Sequence, residues 1–89
     1  MKNVYMISYD LHSPTKNREK VESSIEGIGP WCKYVSTTYL VSTTKTISEV
    51  QNIAIKHLDS NDSMIICEVN KPIYGWLSKR QWDWIHEHL

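Results

Sequence analysis

A single carboxylate stands where a buried strand is predicted to end. Residues 4–9 form a nearly unbroken apolar run, and Asp10 follows it directly. Active sites of mixed α/β domains are commonly built at strand ends, and carboxylate oxygens suit Mg²⁺ and Mn²⁺. Asp10 is therefore the candidate metal ligand and catalytic residue. The same pattern also fits an aspartate that only caps the turn after the strand.

Basic residues follow Asp10 at the start of the next predicted helix. The candidates for contact with phosphate groups are His12, Lys16, Arg18 and Lys20. Lys16 and Lys20 are four residues apart and share one helix face. His12 could also bind a metal or act as a base, because imidazole titrates near neutral pH. Acidic residues are interleaved with these cations, as on an ordinary solvated helix, and both interpretations remain open.

Aromatic residues are concentrated near the end of the chain, which has four tryptophans in 89 residues. The candidates are Tyr74, Trp76, Trp82 and Trp84. Such side chains stack on nucleic-acid bases or anchor a partner protein, and they also add buried area to a small core. We predict that these four residues lie at a dimer or partner interface.

Composition limits the functions that are open to the chain. Ten Lys and Arg balance ten Asp and Glu, so any nucleic-acid binding depends on a local patch. Cys32 and Cys67 lie in apolar segments without CxxC spacing, which predicts reduced, buried thiols in a cytoplasmic protein. No apolar stretch reaches the roughly 20 residues that cross a bilayer, and no signal-peptide pattern begins the chain, so no membrane contact is expected.

The hydrophobic pattern predicts one domain, residues 1–89, with a core at residues 3–70 in the order strand, helix, strand, strand, helix, strand. A capping box at Thr46 and Glu49 begins the second helix. The expected fold is α+β, a ferredoxin-like βαββαβ sandwich with both helices on one face of an antiparallel sheet. Handed crossovers are expected to put the first and fourth strands side by side in its middle. The other face would be bare, and a second copy is its simplest cover.

Residues 71–89 form a Trp-rich C-terminal extension. Pro72 and Gly75 predict that it begins irregularly. A capping box at Ser78 and Gln81 predicts a short terminal helix after this irregular segment.

The order of these features resembles the small CRISPR-associated adaptation nucleases, the dimeric partner subunit of the spacer integrase, and their virulence-associated protein D-like relatives. The resemblance covers about residues 3–70. It rests on the apolar strand that ends at Tyr9-Asp10, the basic residues of the next helix, the aromatic start of the second strand at Trp31, and the strand pair around residues 35–39.

The resemblance implies a ferredoxin-like homodimer in which the family's metal-binding aspartate corresponds to Asp10. The two-fold axis would bring both copies of Asp10 to one Mg²⁺ or Mn²⁺ ion, which could activate water for attack on a phosphodiester of RNA or DNA. The implied function is a metal-dependent endonuclease. The alternative is a non-catalytic homodimeric module that binds protein or nucleic acid. The neutral charge and Leu11-His12-Ser13, where family members commonly carry another charged residue, favour this alternative.

Overall fold

A four-stranded antiparallel sheet forms the centre of the molecule. The computed structural model describes residues 2–89, apart from the side chains of residues 14–16. The strands are β1 (Asn3–Asp10), β2 (Trp31–Lys33), β3 (Thr38–Thr43) and β4 (Ser63–Glu68), and the helices are α1 (Pro14–Glu26), α2 (Ile47–Ala54) and α3 (Lys79–His88). The sheet order is β2-β3-β1-β4. The predicted α+β class and antiparallel sheet are confirmed, and the extension carries the short helix α3.

The position of β4 corrects one prediction. Strand β1 pairs with β3 on one side and with β4 on the other, and both pairings are antiparallel. The first and fourth strands are therefore neighbours as predicted. The two central strands, however, are β1 and β3, because the β2–β3 pair occupies the free side of β1 and leaves β4 at the edge.

Local sequence signals set the bounds of the helices. The Thr46 hydroxyl accepts from the Glu49 N–H at 3.2 Å, and the Glu49 carboxylate accepts from the Thr46 N–H at 2.9 Å, so the capping box of α2 is confirmed. The same reciprocal box at Ser78 and Gln81 begins α3. Ser13 occupies the N-cap position of α1, but its hydroxyl makes no capping bond.

Each sheet face has its own hydrophobic cluster. The cluster under α1 and α2 consists of ten buried residues, Tyr5, Ile7, Tyr9, Val21, Ile25, Ile28, Tyr39, Val41, Val50 and Ala54. The cluster on the opposite face has three buried residues, Val4, Leu40 and Ile85, with half-buried side chains packed around them. Both predicted helices therefore cover the same face.

The C-terminal extension folds back over the sheet face that α1 and α2 leave open. Its helix α3 contributes Ile85 to the cluster that Val4 and Leu40 form on that face. The expectation that this face is bare until a second copy covers it was wrong. The cover is partial, since Ile65 is 65% exposed and Cys67 is also exposed on the edge strand.

The prediction that both thiols are buried was therefore wrong for Cys67, while Cys32 is half-buried, and both are free. Among the described residues, no helix has the length and apolar character needed to cross a membrane.

Candidate functional site at the end of strand β1

The end of β1 presents Asp10 to solvent. Asp10 is exposed and is aligned with Ser63, the first residue of β4. Tyr9 points towards the helices, so strand alternation puts Ser8 and Asp10 on the opposite face of the sheet. A shallow groove of about 180 Å³ lies there, lined by Ser8, Tyr9, Asp10, Ser63, Met64 and Ile65. No residue of α3 lines this groove, so the carboxylate faces open surface.

The loop after β1 is fastened to the loop before β4. The Asp62 carboxylate accepts from the backbone N–H groups of Asp59 and His12, each at 2.8 Å. Both bonds lower the pKa of Asp62, and the bond from the Asp59 N–H has the larger effect. The Asn17 amide also donates to the Asp59 carboxylate at 2.8 Å. Asp62 therefore caps this turn, and within the described part of the chain the Asp10 carboxylate makes no hydrogen bond.

The predicted cations lie in different surroundings. The His12 side chain is exposed. The Arg18 Nε donates to Glu22 at 3.0 Å. Lys20 lines a separate groove on α1 beside His57, and the Lys16 side chain lies outside the described residues. Among the described cations, Arg18 is thus engaged by a carboxylate of its own helix.

The described part of one chain does not by itself assemble a set of metal ligands. Among the side chains that the structure describes, no three His, Cys, Asp or Glu residues are placed to hold a metal ion together. The end of β1 offers one carboxylate, a hard oxygen ligand of the kind Mg²⁺ accepts. A metal site at this position would therefore need ligands beyond those of a single chain.

A polar network between α1 and the sheet was not predicted. One oxygen of Glu22 accepts from the Tyr9 hydroxyl at 2.6 Å, the Arg18 Nε at 3.0 Å and the Lys33 Nζ at 2.8 Å. The Glu22 side chain is 18% exposed. Desolvation alone would raise the pKa of Glu22, but the three donors outweigh it and lower the pKa to about 2.

Two tyrosines of the sheet are held in their protonated form by this region. Burial, followed by the hydrogen bond to Glu22, raises the pKa of Tyr9. Burial likewise raises the pKa of Tyr39, whose hydroxyl donates to Glu26 at 2.6 Å. One of the two interpretations of the interleaved charges in this helix put its glutamates on a solvated face. The missed signal was the tyrosines themselves, because a buried phenol needs a hydrogen-bond partner.

The structure separates the four aromatic candidates of the extension. Trp82 and Trp84 are half-buried and pack against the cluster around Ile85. Tyr74 and Trp76 are 91% and 101% exposed. Trp82 and Trp84 thus pack within the chain, whereas Tyr74 and Trp76 project into solvent.

The comparisons with known proteins show a similar fold and no family. No family model matches the chain, and no curated protein matches it. Among solved structures, the chain is similar to a hypothetical protein, TT1823, from Thermus thermophilus. The similarity has a TM-score of 0.67 at 18% identity and covers 88% of this chain and 96% of that chain.

Proposed function

We propose that this chain is a homodimeric, nucleic-acid-associated protein similar to the small CRISPR-associated adaptation nucleases, and that Asp10 takes part in metal-dependent cleavage of RNA or DNA. The observation that carries the proposal is the exposed carboxylate at the end of a central strand, on the part of the sheet face that α3 leaves open. The loop that follows Asp10 is hydrogen-bonded to the loop before β4, which supports a fixed position for Asp10.

We assign the sheet to the ferredoxin-like type. The succession of β1, α1, β2, β3, α2 and β4 along the chain, with β1 and β4 side by side in the sheet, supports this assignment. The free cysteines suit a reducing compartment, and we propose a cytoplasmic location.

The proposal requires a dimer, because one chain brings one carboxylate. We define the open strip as the part of this sheet face outside the Ile85 cluster, formed by the exposed Ile65 and Cys67 and the half-buried Ser8 and Thr38. Ile65 is apolar and 65% exposed, so a second copy packed here would bury surface that now meets water. Asp10 lies on the same face, and a two-fold axis through the open strip would bring its mate to the same interface.

The residues of such a dimer would fit a hard divalent cation. The two Asp10 carboxylates would be its protein ligands, which suits an ion such as Mg²⁺ that keeps several water ligands. A bound cation supplies Lewis acidity towards the phosphodiester and lowers the pKa of bound water. Asp62 would hold the backbone of the adjoining loop, and the Asp10 side chain would stay available.

Cleavage of labelled single-stranded and duplex RNA and DNA tests the catalytic role. With Mg²⁺ or Mn²⁺, wild type should cleave and Asp10→Asn should lose at least about 100-fold in rate, while EDTA abolishes the activity. Asp83→Asn is the matched control, since Asp83 is an exposed carboxylate on α3. Equal cleavage by wild type and Asp10→Asn, or no cleavage of any substrate, would contradict the mechanism.

Sedimentation equilibrium tests the dimer. Ile65→Lys should shift the chain to monomer, because a charge on the open strip would be buried in the dimer without a partner. Ile55→Lys is the control, since Ile55 is an exposed apolar residue, 41% accessible, beyond the end of α2. A monomeric wild type would remove the basis for a shared Asp10 site.

The second candidate function is a non-catalytic homodimeric binding module. The exposure of Tyr74 and Trp76 favours it, because such side chains serve recognition without chemistry. Titration calorimetry with Mn²⁺ separates the two functions. Binding that disappears in Asp10→Ala supports the nuclease, and binding of a nucleic acid or protein without any metal response supports the module.

A further inference from the structure

The segment between β4 and α3 presents two aromatic side chains on a backbone that is anchored at several points. We call residues 70–78 the aromatic loop. Its Ile73 and Leu77 pack against the cluster around Ile85. Between them, Tyr74 and Trp76 project almost fully into solvent. Their exposed rings add nothing to the core of this chain, so they are available as a contact surface.

The charge around the aromatic loop differs from that of the whole chain. Residues 69–82 contain Lys71, Lys79 and Arg80 and no acidic residue, although acidic and basic residues balance over the full sequence. Lys79 contacts Asp83 at 2.9 Å, but both side chains are exposed and such a pair is weak. The segment that carries the exposed aromatics is therefore basic in sequence, with Glu68 and Asp83 directly beyond its two ends. Lys71 and Arg80 line different grooves, and Lys71 shares its groove with Glu68.

A groove continues this surface onto the sheet edge. It has a volume of about 640 Å³ and is lined by Trp31, Cys32, Lys33, Ser78, Arg80, Gln81 and Trp84. Ser78 is two residues after Trp76, so the two Cα atoms are at most about 7 Å apart. The Lys33 ammonium is engaged by Glu22 at 2.8 Å, which makes Arg80 the cation that the groove offers to a ligand.

We propose that the aromatic loop and this groove bind single-stranded nucleic acid. Bases stack on Tyr74 and Trp76, and backbone phosphates contact Lys71 and Arg80. The combination of exposed rings and excess positive charge fits a polyanion with accessible base faces, and a duplex keeps its base faces stacked inside. The inference rests on the nucleic-acid association of the proposed function and is independent of chemistry at Asp10.

Fluorescence anisotropy tests this site without cleavage. Labelled single strands of roughly 12 nucleotides are titrated at low salt with EDTA, in an Asp10→Asn background. Trp76→Ala should weaken binding about 5- to 100-fold, whereas Trp76→Phe should retain most of the affinity because a ring remains for stacking. Lys71→Glu and Arg80→Glu should weaken binding and flatten its salt dependence. Lys56→Glu makes the same charge change at an exposed residue beyond α2 and should bind like the parent.

Two results would overturn the site. The first is equal affinity of the parent and Trp76→Ala, and a loss of the dimer in the same variant would show that the loop contacts a second copy instead. The second is a duplex bound as tightly as a single strand. Strong single-strand binding by a wild type that cleaves nothing would refute catalysis and support this site. Cleavage by the wild type, together with unchanged affinity in Trp76→Ala, would support catalysis and refute this site.

Discussion

The helix-covered face and the tail-covered face of the sheet are closed to different extents. Under α1 and α2, ten buried residues form one cluster. The hydroxyl groups of its Tyr9 and Tyr39 donate hydrogen bonds to Glu22 and Glu26 of α1. Under the C-terminal extension, three apolar residues are buried, and the hydrophobic side chains packed around them are half-buried. Ile65 and Asp10 stay outside that cover.

The difference assigns different tasks to the two faces. The complete face contributes most of the buried apolar area, so folding stability should depend on it. The incomplete face contains the exposed carboxylate, the open strip and the aromatic loop. Substitutions can therefore test the comparison directly, because matched changes on the two faces should have unequal effects.

The largest expected effect is a cavity in the helix-covered cluster. Ile25→Ala should lower the free energy of unfolding by about 3–5 kcal/mol, because Ile25 is fully buried among closely packed neighbours. Ile85→Ala on the other face should cost about 2–3 kcal/mol, since half-buried neighbours can close part of the cavity. Urea denaturation measures both values. Equal losses would mean that the two clusters are equally rigid.

Adding a methyl group at Gly29 and at Gly75 should change stability by different amounts. At Gly29 a Cβ would overlap the carbonyl oxygen of Ser42, a backbone atom of β3, so Gly29→Ala should cost about 1–3 kcal/mol. At Gly75 the nearest atom is the Leu77 Cγ at 3.8 Å, and Gly75→Ala should be neutral or slightly stabilising. Thermal unfolding of the pair measures the contrast, and a destabilised Gly75→Ala would show that the aromatic loop is held more tightly than its exposure suggests.

The Glu22 network should make the helix-covered face sensitive to acid. The pKa of Glu22 is about 2, below its ordinary value of 4.5, so its stabilisation is present above about pH 4.5 and is lost as pH falls towards 2. Glu22→Gln should cost about 1–3 kcal/mol at neutral pH, and its difference from wild type should shrink across that window. Glu87→Gln, at an exposed position on α3, is the control and should follow wild type throughout.

The sequence predicted what depends on local spacing and missed what depends on the path of the chain. The capping boxes at Thr46 and Ser78 are formed within four residues, so their side chains identified both helix starts. The Glu22 network joins α1 to β1 and β2, and no spacing along one helix reveals it. Asp10 could be found because a strand end is visible in the hydrophobic pattern.

The cover of the second face could not be predicted for the same reason. An irregular segment separates β4 from α3, and nothing in its sequence fixes where the helix returns. Tertiary contacts decide it, including the Tyr34 hydroxyl, which donates to the Gln81 carbonyl at 3.0 Å. Trp82 and Trp76 therefore looked alike in the sequence, although one packs on the sheet and the other meets water.

The smallest expected effect compares two neighbours in β3 that point to opposite faces. The Thr43 hydroxyl accepts from the Lys45 N–H at 3.2 Å, so Thr43→Ala should cost about 1 kcal/mol. The Ser42 hydroxyl is buried on the tail-covered face without a partner among the described residues. Ser42→Ala removes an unpaired polar group and should change stability by less than about 1 kcal/mol, with a stabilising sign. Denaturant titration resolves the sign, and a clear loss in Ser42→Ala would mean that this hydroxyl has a partner in solution and that the second face is better satisfied than its packing indicates.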